Sequence, residues 1–277
     1  MKLTVAKKVV PAFVVMAMLG ISQAALGNAV PQIQNNLELV NFGEKIVTQA
    51  TSTEPVHDDR VVSLYSVEQG TNAANRSCTA NNLGDGFWLT ARHCDPIKGD
   101  FVQNDDGEKA TVTEVFLKSS IDDLAIIKVD GDISSEHFDL PPGTPEVGNQ
   151  LTFIGYGGEH TYASTALVDV VNFIESYPES VGIPYKDLVV VKSVGPSRMC
   201  EGDSGGAAFE ENIIYAIHTA SGTNRNCEDG VGALSWLTLL TQERAEWIKG
   251  IVGSRPSSLE DMLTSSSSES FNLFSSH

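Results

Sequence analysis

From Val61 onward, short apolar-rich runs are separated by clusters of Gly, Asp, Asn and Pro. The runs Val61–Val67, Phe87–Thr90, Thr111–Phe116, Leu124–Val129, Leu151–Gly155, Ala166–Ile174, Leu188–Lys192 and Ile213–His218 are β-rich. Many short strands at such spacing predict a sandwich or barrels. Helical periodicity enters only at the end, where Leu237, Leu240, Trp247, Ile248 and Ile251 recur at roughly helical spacing. Thr241 is the candidate N-cap of that helix. No internal repeat is visible.

The two ends read differently. Met1-Lys2 and Lys7-Lys8 precede an apolar run from Val9 to Ile21, and small residues follow at Ala24 and Ala25. A charged start, apolar centre and small-residue end predict a secretory leader over 1–25. The run is too short for a retained transmembrane helix. Cleavage after Ala24, Ala25 or Ala29 fits equally. Beyond Gly253 the chain is Ser-rich, and 254–277 reads as a flexible tail. Four cysteines in an exported chain suggest two disulfides, and four allow three connectivities. No C-x-x-C pair supports a zinc site. The formal charge is −18, and removing residues 1–45 with their four basic and two acidic residues leaves −20. That disfavours nucleic acid and anionic membranes as partners.

The chemistry concentrates in Cys200-Glu201-Gly202-Asp203-Ser204-Gly205-Gly206. A serine hydroxyl needs a base to become a nucleophile. Gly202-x-Ser204-x-Gly206 also fits a nucleophile elbow, but that requires an acid and then a histidine downstream. Downstream the histidines are His218 and the terminal His277. Upstream lie Thr90-Ala91-Arg92-His93-Cys94 and Asp122-Asp123-Leu124-Ala125. The order His93, Asp123, Ser204 is that of the chymotrypsin architecture. Asn104-Asp105-Asp106-Gly107-Glu108 invites a calcium reading, but an Asp-Gly pair between apolar runs is more simply a hairpin turn.

These motifs resemble the trypsin/chymotrypsin-type serine endopeptidases. Thr90 to Cys94 resembles T-A-A-H-C, Asp123 to Ile126 resembles D-I-A-L, Gly155-Tyr156-Gly157 resembles G-W-G, and Cys200 to Gly206 matches C-x-G-D-S-G-G. The similarity runs from about Ile46 to Gly253. It implies an all-β fold of two six-stranded antiparallel β-barrels with a C-terminal helix. It implies His93, Asp123 and Ser204 as catalytic triad and the amides of Gly202 and Ser204 as oxyanion hole. It selects Asp123 over Asp122, which reads as merely solvated. It implies disulfides Cys78–Cys94 and Cys200–Cys227. Lys45-Ile46-Val47 resembles the activation junction, with Thr48-Gln49 where glycines are usual. Residues 26–45 are then a propeptide, 46–253 the protease domain, and Asp203 the acceptor of the new amine at Ile46.

The resemblance further implies a secreted monomer acting on protein or peptide substrates, activated by another protease, with no cofactor and no metal. Arg198 stands where trypsins carry the pocket-base aspartate, so a tryptic preference is not expected. Arg198, Met199, His218, Ser221 and Gly230 are the candidate specificity pocket. Arg198 and His218 could pair with an acidic side chain. Alternatively Arg198 turns outward to solvent, His218 is a core residue and Met199 helps form an apolar pocket. Gly205, Gly206 and Gly230 read as leaving room for the substrate side chain.

Overall fold

The computed structural model describes residues 55–71, 73–158, 161–177, 184–222 and 230–253. All lie in the compact unit Thr48–His277. The leader, the propeptide, Lys45, Ile46, Cys227 and the Ser-rich tail lie outside the described residues.

Short β-branched runs become strands that close on themselves. The first barrel holds β1 (Val61–Val67), β2 (Ala74–Asn82), β3 (Phe87–Thr90), β4 (Phe101–Gln103), β5 (Lys109–Leu117) and β6 (Ala125–Val129). Their order around the barrel is β1-β2-β3-β6-β5-β4. The second holds β7 (Gln150–Gly155), β8 (Ser164–Ser176), β9 (Lys186–Ser193), β10 (Ala207–Glu210), β11 (Ile213–Ser221) and β12 (Leu234–Leu239), in the order β10-β11-β12-β9-β8-β7. Every pairing is antiparallel. Closure leaves no open strand edge, which removes the usual template for edge-to-edge aggregation. Val62, Leu64, Leu89 and Ile126 fill the first core, and Leu151, Val168, Val189 and Leu237 fill the second.

The helix α1 (Gln242–Val252) begins where the pattern predicts: the Thr241 side chain accepts a bond from the Arg244 amide. Leu237 and Leu240 correct the sequence reading, since Leu237 lies in β12 and Leu240 precedes the cap. Their spacing from Trp247 is helical only by coincidence. β2 was not among the apolar runs that marked strands, because its sequence, ANRSCTANN, is polar. Its C-terminal half is nevertheless buried, with Thr79 and Asn81 fully so. Those polar groups reach across to the second barrel instead of to water. The Asn104–Glu108 segment is a hairpin turn between β4 and β5, closed by Asn104 and Gly107 backbone bonds. Among the described residues no helix is long and apolar enough to cross a membrane.

Candidate active site

The segment after β3 turns into a one-turn helix, Arg92–Cys94, that carries His93. Cys94 is joined to Cys78 on β2 by a disulfide. The turn before β6 carries Asp123, which is fully buried. Ser204 lies in the loop leading to β10. The imidazole stands between the two: Nε2 is 2.8 Å from Ser204 Oγ and Nδ1 is 2.8 Å from Asp123 Oδ2. The His93 backbone amide donates to the other carboxylate oxygen, Oδ1, at 2.9 Å. Two bonds from one carboxylate to one residue fix both the ring's position and its orientation. With Asp123 accepting at Nδ1, the neutral ring carries its proton there, so Nε2 is free to accept from the serine hydroxyl.

Groups of β2 that the sequence reading missed hold the serine loop against the first barrel. The Thr79 amide donates to Ser204 O at 2.8 Å, and Thr79 Oγ1 donates to Gly202 O at 3.0 Å. Asn81 Nδ2 donates to Gly205 O at 2.6 Å and to Leu89 O at 2.9 Å. The one available signal was the position of these residues just after Cys78. Gly202 has φ +95°, and a Cβ there would come within 2.8 Å of Tyr156 O. Among the described residues, neither the Gly202 nor the Ser204 amide donates to a protein acceptor. Gly205, Gly206 and Gly230 are required by close packing within the chain. A Cβ at any of them would collide with neighbouring backbone.

Asp203 is buried with its carboxylate packed against Gly155 and Gly157, where any Cβ would strike it. That contact explains the glycines around Tyr156. Oδ2 accepts from the Cys200 amide at 2.8 Å, and Oδ1 has no partner. Burial pushes this carboxyl up to about 7, against smaller pulls from the Cys200 and Gly157 amides and from Arg76.

The pocket candidates also come together. His218 is buried, its amide donates to Gly206 O, and its carbonyl accepts from the Gly205 amide. Its Nε2 is 2.7 Å from Ser221 Oγ, which in turn lies 3.2 Å from Ser235 Oγ. Burial, with His93 and Arg198 nearby, pushes the imidazole down to about 3. Arg198 does not turn to solvent; it is 7% exposed, with Nη2 donating to Gly222 O at 2.9 Å and Nε without a partner. Met199 is fully buried in the second core. Asp122 is likewise not merely solvated, because it pairs with the buried Arg244 at 2.7 Å. Cys200 is disulfide-bonded, while its expected partner Cys227 lies outside the described residues.

Among the described residues, two groups of side chains have ligand-like proximity. Cys78, His93 and Cys94 are excluded as a metal centre by the disulfide. His57, Asp105 and Asp106 are exposed and form an ordinary His57–Asp105 contact on the hairpin.

A double barrel with serine, histidine and aspartate in hydrogen-bonded sequence at its cleft defines the chymotrypsin-like class. The chain belongs to the trypsin family: the family model described as Trypsin matches residues 50–235. An "Uncharacterized peptidase" of Corynebacterium glutamicum strain R is 25% identical over 185 residues, covering 65% of each chain. A putative peptidase of strain ATCC 13032 matches to the same extent. The chain thus spans about two thirds of these relatives' length, 65%. Mouse neuropsin, a serine protease expressed in the limbic system, superposes with a TM-score of 0.55 at 18% identity, over 74% of this chain and 99% of that one. Kallikrein-related peptidase 10, solved in complex with Zn2+, gives 0.55 at 18% over 71% and 97%. A scabies mite inactivated protease paralogue gives 0.52 at 18% over 71% and 96%. At that identity the likeness concerns the fold.

Proposed function

We propose that the protein is a secreted serine endopeptidase, made as a precursor, that cleaves peptide bonds through an acyl-enzyme on Ser204. The observation that carries this reading is the single imidazole hydrogen-bonded to both Ser204 Oγ and the Asp123 carboxylate. His93 takes the serine proton as Oγ attacks the scissile carbonyl, then returns it to the leaving amine. Asp123 stabilises the imidazolium formed between those steps. The free amides of Gly202 and Ser204 receive the oxyanion. An inactivated relative shares the fold, so chemistry at Ser204 is the discriminating test. After limited trypsin treatment, a fluorophosphonate should label Ser204 and peptide hydrolysis should appear. Wild-type protein that stays unlabelled and hydrolyses no peptide would reduce this chain to a binding module.

Activation follows from Asp203. A buried carboxylate with an unpartnered oxygen is an unfavourable state. Cleavage after Lys45 would free the amine of Ile46 to pair with it, a contact on the order of 3–5 kcal/mol when broken. That energy is enough to order the loop carrying Gly202 and Ser204. Lys45→Gln should remain inactive after trypsin treatment; full activity with Ile46 still internal refutes the switch.

The pocket favours an acidic residue before the scissile bond. Arg198 is buried, and among the described residues no carboxylate lies within ion-pair distance of it. A buried cation with an idle Nε gains most from a carboxylate ligand. Cleavage profiling in a mixed peptide library should give new C-termini rich in Glu and Asp, and Arg198→Met should abolish that bias. Termini rich in Phe, Tyr or Leu in the wild type would instead assign an apolar pocket.

A further inference from the structure

Arg244 is fully buried at the first turn of α1, yet it carries a full charge. Its donors are spread over three segments. Nε donates to Asp122 Oδ1 at 2.7 Å, Nη1 to Leu239 O at 2.7 Å and Asp187 O at 3.0 Å, and Nη2 to Lys186 O at 2.9 Å. Asp187, near the start of β9, sits at φ +49°, a left-handed conformation uncommon for a non-glycine residue, and offers its carbonyl to the guanidinium. The three carbonyls belong to the second barrel and its exit, and they would seat the helix by themselves. The counter-charge is different. It comes from the first barrel, from the residue immediately before Asp123.

That placement matters because Asp123 has little else to aim it. Among the described residues its carboxylate bonds only to His93. Its direction is therefore set by the backbone on either side: Leu124 and β6 hold the following side in the first core, and the preceding loop holds the other. Each anchor of that loop reaches the second barrel or its helix, or braces the loop internally. Lys118 Nζ lies 2.6 Å from Glu243 Oε1 on α1. Ile121 O accepts from the Lys186 amide at 3.0 Å. The second oxygen of Asp122 accepts from Ser119 Oγ at 2.6 Å, and that hydroxyl accepts from the Ile121 amide. Burial pushes the Asp122 carboxyl up, but Ser119, Arg244 and Lys118 together outweigh it and hold the group below its ordinary value. Asp122 is thus a fixed anion, with Asp187 as a second, more distant carboxylate 3.6 Å from Nη2.

We propose that Arg244 is a positioning residue of this active site: through Asp122 it fixes the loop whose next residue, Asp123, orients His93. The proposal rests on the triad reading above. It predicts that loosening the guanidinium tilts the carboxylate and weakens turnover more than substrate binding. A misplacement of about 1 Å at a reacting group typically costs on the order of 100-fold.

The test uses the full chain after trypsin treatment, with Arg244→Gln, Arg244→Lys, Asp122→Asn and, as a stability control, Ile248→Ala. Ile248 is fully buried on the same helix, in the apolar core. Arg244→Gln and Asp122→Asn should lower kcat and the maximal fluorophosphonate labelling rate ~10- to 100-fold, with KM within about twofold. Both should broaden or lose the downfield proton resonance of the His93 Nδ1–H. Arg244→Lys should recover part of the rate, since it keeps the charge but loses the fork. Ile248→Ala should lower Tm while leaving rate and resonance unchanged. If Arg244→Gln fails to fold, the near-isosteric Asp122→Asn gives the same readouts. Wild-type rate and an intact resonance in Asp122→Asn, or an equal loss in Ile248→Ala, would overturn the assignment. Unlabelled wild-type protein marks failure of the triad reading instead, and takes this proposal with it.

Discussion

The two halves of the active site are satisfied to different degrees. On the first barrel, His93 and Asp123 have complete hydrogen-bond partners, and the disulfide Cys78–Cys94 fastens the histidine turn to β2. On the second barrel, Asp203 Oδ1 and Arg198 Nε are buried without partners, and His218 is held neutral behind the serine loop. The first half is assembled by the fold alone. The second half carries charges whose partners must arrive: an amine for Asp203 and an anionic ligand for Arg198, under the reading proposed above. His93 and Ser204 thus come from opposite barrels, the first with both ring nitrogens partnered and the second beside buried charged groups that lack partners.

The strongest way to break that comparison is to remove a triad member. His93→Ala or Ser204→Ala should cut kcat on the order of 10^6-fold, as for a catalytic unit acting together. Tm should hardly move for Ser204→Ala, whereas His93→Ala should lower it, because the buried Asp123 Oδ2 then loses its partner. A steady-state assay alongside a thermal melt checks both.

The next largest effects concern the side short of partners, and they appear as pH dependence in the full-length chain. Asp203 has a folded value near 7 against an ordinary 3.8, so the folded chain holds a proton that the unfolded chain releases. Its contribution is fully present below 3.8 and is lost as pH rises through about 7. His218 runs the other way. Its folded value of about 3 lies below 6.5, so its contribution is present above 6.5 and lost as pH falls through about 3. The two slopes oppose each other across much of the same range. Asp203→Asn should therefore expose a stability that rises with pH, and His218→Gln one that falls, each by roughly 2–4 kcal/mol across the window. Urea midpoints between acid and mildly alkaline pH read this; parallel curves for wild type and both variants would remove the buried-charge account.

The strap between the halves comes next. Asn81→Ala deletes the bonds to Gly205 O and Leu89 O and leaves two buried acceptors behind. We expect a loss of about 2–3 kcal/mol, or roughly 4–10 °C in Tm for a domain of this size, with slower fluorophosphonate labelling. The smallest effect should follow Thr241→Ala, which removes the helix cap for about 1 kcal/mol and leaves labelling unchanged. A labelling defect as large as that of Asn81→Ala would show that the helix start bears on the site through more than Arg244.

Strands written as short β-branched or aromatic runs between turn residues were legible in the sequence, and β1 and β3 fall where those runs put them. β2 was hidden because its buried face is polar: Thr79 and Asn81 spend their hydrogen bonds on the other barrel, and hydropathy sees only polarity. β12 was hidden by the opposite accident, since Leu237 and the apolar residues of α1 share a spurious helical spacing. The residues His93, Asp123 and Ser204 were legible as candidates from local motifs, and the fold brings them together. The Arg244–Asp122 pair was not, because its members are 122 positions apart and Arg244 sits in no motif. Local sequence names groups with chemical promise. It says little about which distant charge will neutralise a buried one.

The cystine between Cys78 and Cys94 has a wider reach than its single loop suggests. Cys94 adjoins the base, while Cys78 adjoins Thr79, which grips the carbonyls of Gly202 and Ser204. Reduction of that one bond would slacken the support of imidazole and hydroxyl together. Under the triad reading proposed above, activity is thereby tied to oxidising surroundings, and thiol reduction should disarm the site.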